Sequence, residues 1–100
     1  METVYKLLRA TEYADFVARG RFDGSADDLR DGFIHLSAAT QWAATRAKWF
    51  AAEPGLWLVA LDVARLGAAL RWEPSRGGAL FPHLYRAVTA DDVISARRLA

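Results

Sequence analysis

The apolar run LWLVALDV, residues 56–63, constrains the fold more than any other part of this 100-residue chain. It lacks the alternation of polar and apolar residues that marks a strand with one face in water. A mostly apolar run of this length is typical of a central strand that is covered on both sides. The rest of the chain must therefore supply the elements that cover it.

The neighbouring segments predict a single α+β domain spanning residues 1–100, a length that buries one core. Strands are expected at residues 3–9, 33–36, 56–63, 69–73 and 94–99, and the two main helices at about 12–20 and 38–52. Thr11 is the expected N-cap of the first helix, and Ser37 or Thr40 that of the second. Trp42 and Trp49 lie two turns apart on the second helix, which indicates core positions for both.

Residues 74–85, PSRGGALFPHLY, are expected to form a long functional loop. Three of the first five positions are Pro or Gly, and Pro82 follows later. Such breakers interrupt regular structure, and binding groups are often carried on loops.

Composition narrows the class of protein. The net charge is +1, and no basic stripe with interleaved aromatics is visible, which argues against a nucleic-acid partner. There is no cysteine, no apolar N-terminal segment and no apolar run near the ~20 residues of a spanning helix. A cytoplasmic protein without a membrane partner is the expectation.

The stretch DGFIHLS, residues 31–37, carries the first candidate site. On a strand, His35 and Ser37 point to one face together with Phe33, because side chains alternate with period two. An imidazole and a hydroxyl held in this way can hydrogen-bond a ribose, a phosphate or a carboxamide. The alternative is a buried histidine bonded to the backbone, with Ser37 only capping the next helix.

RWEPSRGG, residues 71–78, carries the second candidate site. Arg71 and Glu73 lie on the strand face opposite Trp72, where they can bind a ligand or simply pair with each other. Arg76 beside Gly77 and Gly78 suits an anion, because glycines let the backbone approach closely, although such a pair also makes ordinary turns.

FPHLY, residues 81–85, adds His83, with Phe81 and Tyr85 as stacking surfaces. A zinc site is not expected, because His35 and His83 have no HxH or HxxxH spacing. The chain also lacks the GxSxG, Walker and GxGxxG motifs.

DGFIHLS, RWEPSRGG and FPHLY together resemble the short bacterial proteins grouped as domain of unknown function 952, over nearly the whole chain. The resemblance implies the fold of the ADP-ribosylation superfamily, with split antiparallel β-sheets and two main helices around a cleft. In active relatives that cleft takes NAD.

A fainter similarity is to the NAD-binding half of RNA 2'-phosphotransferases. His35 and Ser37 match the HLS residues of that family, and Ser75 and Gly77 fall near its SxNG turn. The chain has no upstream HGT motif and no room for the winged RNA-binding part, so tRNA 2'-phosphate removal is not implied. Protein-modifying transferases of the superfamily often need a late glutamate, for which Glu73 is the nearby candidate.

Two hypotheses follow. In the first, the cleft binds NAD, ADP-ribose or a related phosphorylated nucleotide, in an ADP-ribosyltransferase-like enzyme or a degenerate one, without a metal. His35 and Glu73 are then the expected catalytic residues, and the expected ligand-binding residues are Ser37, Arg71, Trp72, Ser75, Arg76, Gly77, His83 and Tyr85. In the second, the chain is a noncatalytic protein- or peptide-binding module with a structural His/Arg network.

Overall fold

The structure, a computed structural model, describes residues 2–100 apart from the side chain of Arg76. The strands are β1 (Thr3–Leu8), β2 (Arg21–Phe22), β3 (Ile34–His35), β4 (Trp57–Asp62), β5 (Leu70–Pro74), β6 (Leu80–Leu84), β7 (Val88–Thr89) and β8 (Val93–Arg98). The α-helices are α1 (Ala10–Arg19), α2 (Ala26–Asp31), α3 (Trp42–Trp49) and α4 (Val63–Leu66). The α+β class predicted from the sequence is confirmed.

The strands form three antiparallel sheets. One has the order β1-β4-β8, a second has the order β3-β6-β5, and β2 pairs with β7. The two three-stranded sheets meet at a single bridge, where Tyr5 and Ser37 exchange backbone hydrogen bonds of 2.8 and 2.9 Å. Within the described residues 2–100, the backbones of the two sheets pair at no other point.

Strand β4 is the central strand that the apolar run predicts. It lies between β1 and β8, and its two faces enter different apolar clusters. Val59 and Leu61 belong to the larger cluster, whereas Leu58 belongs to the smaller one. Trp57 stacks on Tyr13 of α1 with ring centroids 4.0 Å apart. Burial of both faces fixes β4 in the interior.

The predicted N-caps are wrong for both main helices. Helix α1 begins at Ala10, and the backbone N–H of Arg9 donates to Glu12 Oε1 at 2.8 Å. Helix α3 begins at Trp42 after Gln41, because the backbone of Ser37 is engaged by Tyr5. The Gln41 side chain instead accepts from the N–H of Ala38 at 2.9 Å.

The prediction of a loop over residues 74–85 is also wrong. Residues Leu80–Leu84 form β6, which lies between β3 and β5. In an extended strand, the nitrogen and the carbonyl of one residue point to the same side. For Pro82 that side faces Leu36, where the chain leaves β3, so the N–H that proline lacks falls at the end of the β3 pairing. The Pro82 carbonyl accepts from Leu36 N–H at 3.0 Å, beyond the last β3 residue, so the ladder loses little.

The core prediction holds for only one of the two tryptophans of α3. Trp42 is half-buried and packs against the smaller apolar cluster. Trp49 is 60% exposed, so its predicted core position is wrong. No described helix has the length and apolar character needed to cross a membrane.

Candidate functional site

A cavity of about 290 Å³ lies where the two three-stranded sheets part. Its lining comes from both sheets and from α2 and α3. Four of the predicted catalytic and ligand-binding residues line it, namely His35, Ser37, Ser75 and His83, and so does Phe81, a predicted stacking surface. The structure thus brings together residues from three separate parts of the sequence.

The His35 side of the cavity is built around Asp28, whose side chain is only 2% exposed. Lys6 Nζ lies 2.9 Å from Asp28 Oδ2 and donates to the carbonyl of His35 at 3.0 Å. The backbone N–H of Ser25 donates to Asp28 Oδ2 at 2.9 Å, and that of His35 to Oδ1 at 3.0 Å. One carboxylate therefore links β1, α2 and β3.

His35 has carboxylates at both ring nitrogens. Nδ1 lies 2.6 Å from Asp28 Oδ1, and Nε2 lies 3.0 Å from Asp31 Oδ2. Since a carboxylate only accepts, both contacts are hydrogen bonds only when the ring is protonated on both nitrogens. A carboxylate oxygen thus lies beside each ring nitrogen of His35.

Opposing effects act on the ionisation of Asp28. Burial raises its pKa, but the hydrogen bond from His35, the charge of Lys6 and the two backbone N–H groups lower it by more. The net result is a pKa far below the ordinary value of a carboxyl group. Asp28 is thus a permanent anion within the wall.

The other histidine belongs to a second carboxylate group. His83 lies directly opposite His35 in the β3–β6 pair, and its side chain is 6% exposed. Its Nδ1 lies 2.8 Å from Glu73 Oε1, which also accepts from the Tyr85 hydroxyl at 2.7 Å. The hydrogen bonds from Tyr85 and His83 lower the pKa of Glu73, and the bond to Glu73 raises that of Tyr85.

Phe33 lies between the two histidine groups. Its ring stacks on His83 with centroids 4.1 Å apart and contacts His35 at 4.6 Å. The His35 and His83 rings meet edge to face at 5.7 Å. Phe33 therefore restrains both imidazoles.

Of the other described residues predicted for the site, Arg71, Trp72, Glu73, Gly77 and Tyr85 are not among those that line the cavity. Arg71 and Glu73 lie on the face opposite Trp72, as predicted, but Glu73 pairs with His83 and Tyr85 rather than with Arg71. The Arg71 guanidinium lies 4.9 Å from the centre of the Tyr85 ring. Gly77 adopts a positive φ of 65°, and the predicted role of the Arg76 side chain lies outside the described part.

Sequence reasoning missed Lys6, Asp28, Asp31 and Phe33 as members of the site. For Asp28 the sequence did contain an indication, because Ser25 and Asp28 form the S-x-x-D pattern of a capping box at the start of α2. The indication for Lys6 was weaker, namely a charged residue within the mainly apolar strand β1. Their mutual contact follows only from the tertiary fold.

The chain matches the family described as Protein of unknown function (DUF952) over residues 7–96. The chain belongs to this family. A similar solved structure is the crystal structure of protein CC0527 from Caulobacter crescentus, with 49% identity and a TM-score of 0.94. The similarity covers 98% of this chain and 86% of that one. The family membership that the sequence motifs predicted is thus confirmed.

The solution NMR structure of CC0527 agrees, with 49% identity and a TM-score of 0.88, covering 99% of this chain and 85% of that one. A search of curated proteins gave no match. Within residues 2–100 as described, no group of three or more His, Cys, Asp or Glu residues is arranged to hold a metal ion.

Proposed function

We propose that this protein binds NAD, ADP-ribose or a related phosphorylated nucleotide in the cavity between its sheets. The observation that carries the proposal is that His35, Ser37, Ser75 and His83 line one cavity. A pocket with mainly apolar walls and a few converging polar groups is the usual form of a small-molecule site.

The lining matches the parts of a nucleotide. Aromatic walls from Trp49, Phe50 and Phe81 suit a planar base or a nicotinamide ring. Hydroxyls of Ser37 and Ser75 suit the ribose.

Arg30 is an exposed cation in the cavity lining that can bind a phosphate. The Arg30 side chain is 68% exposed, and it pairs with Asp27 and Asp31 at 3.2 and 3.0 Å. Exposed pairs of this kind contribute little to stability, so Arg30 can exchange a carboxylate for a phosphate at low cost. Lys6, held by Asp28, adds fixed positive charge deeper in the wall.

The cavity volume limits how much of a dinucleotide is enclosed. About 290 Å³ is just below the ~300–1,000 Å³ that is usual for small-molecule sites. One half of a dinucleotide fits such a space, and the other half lies along the surface. We assign the enclosed position to the nicotinamide ribose, because His35, Ser37 and His83 are gathered there.

The ADP-ribosyltransferase-like resemblance is part of the same proposal. The two three-stranded antiparallel sheets part around the cavity, and Glu73 contacts the cavity residue His83 through a hydrogen bond. This arrangement supports a cleft that binds the ribose of NAD. Such a site works by stabilising a cationic ribose and a diphosphate with fixed dipoles, which needs no covalent nucleophile.

Isothermal titration calorimetry with NAD, ADP-ribose, a 2'-phosphorylated nucleotide and free nucleosides tests the proposal. We expect heat with NAD and ADP-ribose, and weaker binding for Ser37→Ala. Its matched control is Ser95→Ala, a truncation at an exposed position of β8, which should bind as the wild type does. His35→Gln should weaken binding too.

Absence of heat with every phosphorylated nucleotide contradicts the proposal. If His35→Gln and His83→Gln lowered the melting temperature together while no ligand bound, the network would be structural, as the alternative of a noncatalytic module requires.

A further inference from the structure

We propose that His83, rather than His35, is the general base of the cavity, held in the tautomer protonated on Nδ1 by Glu73. This assignment rests on the proposed nucleotide function for its substrate. It reverses the role expected for His35 from the sequence.

The contact with Glu73 sets the tautomer. Glu73 Oε1 receives the Tyr85 hydroxyl and lies 2.8 Å from His83 Nδ1. An ionised carboxylate only accepts, so Nδ1 carries the proton and the neutral ring keeps its lone pair on Nε2. An imidazole with a free Nε2 lone pair can accept a proton.

That lone pair is directed to the cavity. His83 lines the cavity but Glu73 does not, so the ring edge that faces it is the one away from Nδ1. Among the described residues, no hydrogen bond reaches Nε2 of His83, and every fully buried side-chain nitrogen or oxygen has a partner. Nε2 is therefore accessible from the cavity.

His35 lacks this property. Both of its nitrogens face carboxylates, Asp28 at 2.6 Å and Asp31 at 3.0 Å. With a carboxylate oxygen beside each ring nitrogen, neither nitrogen is open to a proton from a substrate. His35 is suited to positioning and charge instead.

The surroundings hold the His83 ring in one orientation. Phe33 stacks on its face, Glu73 fixes one edge, and the Tyr85 hydroxyl fixes Glu73. Arg71 lies against Tyr85 on the outside. Among the described residues, the charged or titratable groups around the ring include Arg71 and Glu73 on β5, Tyr85 directly after β6 and His35 on β3. Together they hold His83 as one positioned base.

The step that this base serves is attack on the nicotinamide ribose. A water molecule, or the hydroxyl of an acceptor, gives its proton to His83 Nε2 as its oxygen bonds to C1'. The bond from C1' to the pyridinium nitrogen breaks, and its electron pair leaves with neutral nicotinamide. With water the products are ADP-ribose, nicotinamide and one proton, which His83 releases to solvent.

Modification by diethyl pyrocarbonate tests the assignment without any nucleotide. This reagent acylates an imidazole nitrogen that has a free lone pair, and mass spectrometry locates the product. We expect His83 to react faster than His35, although its side chain is 6% exposed against 37% for His35. Faster reaction of His35, or equal rates, would overturn the assignment.

Turnover is the second arm, measured as nicotinamide release from NAD. We expect His83→Gln to lower kcat about 100-fold or more, with KM within about threefold of wild type. Glu73→Gln should lower kcat in the same way, and Glu2→Gln, at an exposed position, should leave kcat unchanged. Unchanged kcat in His83→Gln overturns the assignment.

The two arms separate the two proposals. If the wild type neither binds nor cleaves NAD while His83 is the faster-reacting histidine, the nucleotide function fails and the basicity of His83 stands. If NAD binds and His35 reacts first, the function stands and the assignment of the base fails. Should His83→Gln not fold, Glu73→Gln and Tyr85→Phe provide the same comparison.

Discussion

Asp28 is the residue on which the wall of the cavity depends. It is 2% exposed and accepts hydrogen bonds from Lys6, from the backbone N–H of Ser25, and from the backbone N–H and the ring Nδ1 of His35. Removing its charge leaves Lys6 buried without a counter-ion. Loss of one partner from a buried pair costs roughly 3–5 kcal/mol.

Asp28→Asn is therefore expected to lower the free energy of unfolding at neutral pH by about 3 kcal/mol or more. Urea denaturation followed by circular dichroism measures this. Asp15→Asn, at an exposed ion pair with Arg19, is the control and should change stability by less than about 1 kcal/mol. A small effect at Asp28 would show that the wall does not depend on it.

The pKa of Asp28 gives this effect a pH dependence. The folded-state pKa lies below the unfolded value of 3.8, so the stabilisation is present above that pH and is lost as the pH falls through the folded pKa. The difference in stability between wild type and Asp28→Asn should thus shrink on going from neutral pH to about pH 3. A constant difference over that range would contradict the ionised state.

Tyr85 offers a spectroscopic test of the second carboxylate group. Its pKa is raised chiefly because its hydroxyl donates to Glu73. Glu73→Gln removes the charge and should lower the pKa of Tyr85 toward its ordinary value. NMR titration of the tyrosine ring signals measures this, and the Tyr13 signals serve as the internal reference. An unchanged titration would mean that the Tyr85–Glu73 bond does not form.

At the scale of elements, Gly20 shows how a helix end is fixed by backbone conformation. It ends α1 with φ 71°, and its N–H donates to the Phe16 carbonyl at 2.7 Å. An added Cβ would meet nothing within 4 Å, so a substitution suffers only the strain of the left-handed conformation.

Gly20→Ala is expected to lower the free energy of unfolding by about 1 kcal/mol, and Gly20→Asn by less, since Asn tolerates this conformation better. Thermal unfolding of the three proteins gives the order. Equal losses for Ala and Asn would point to a cause other than backbone strain.

Elements were predictable where the signal is local. The apolar run at residues 56–63 gave β4, and the Gly20 stop gave the end of α1. Strand β6 was missed because Pro82 and the glycines before it suggest a loop. Pro82 fits a strand only because β3 ends beside it, and a local pattern does not contain that information.

At the scale of the whole molecule, apolar packing on both faces of β4 holds α1 on one side of its sheet and α3 on the other. Leu61 is fully buried in the larger cluster, whereas Leu29 is 66% exposed. Leu61→Ala should cost about 2–5 kcal/mol, the range for buried leucines, and Leu29→Ala much less. Chemical denaturation compares them, and similar losses would contradict the central position of β4.

The candidate site was predictable in part. Period-two alternation placed His35 and Ser37 on one face, and both line the cavity with Ser75 and His83. The partnerships of Lys6 with Asp28 and of Glu73 with His83 join residues far apart in sequence. The packing of α2 against the sheets creates the first, and the pairing of β5 with β6 creates the second. Among the described residues, the difference between the two histidines, with carboxylates at both ring nitrogens of His35 and at only one of His83, follows from those contacts.

The most direct test of the cavity as a nucleotide site is an NMR titration of the ¹⁵N-labelled protein with ADP-ribose. We expect shifts concentrated on the amides of His35, Ser37, Ser75 and His83, with the signals of α1 and β8 unchanged. A spectrum without shifts, or shifts concentrated on α1 and β8, would contradict it.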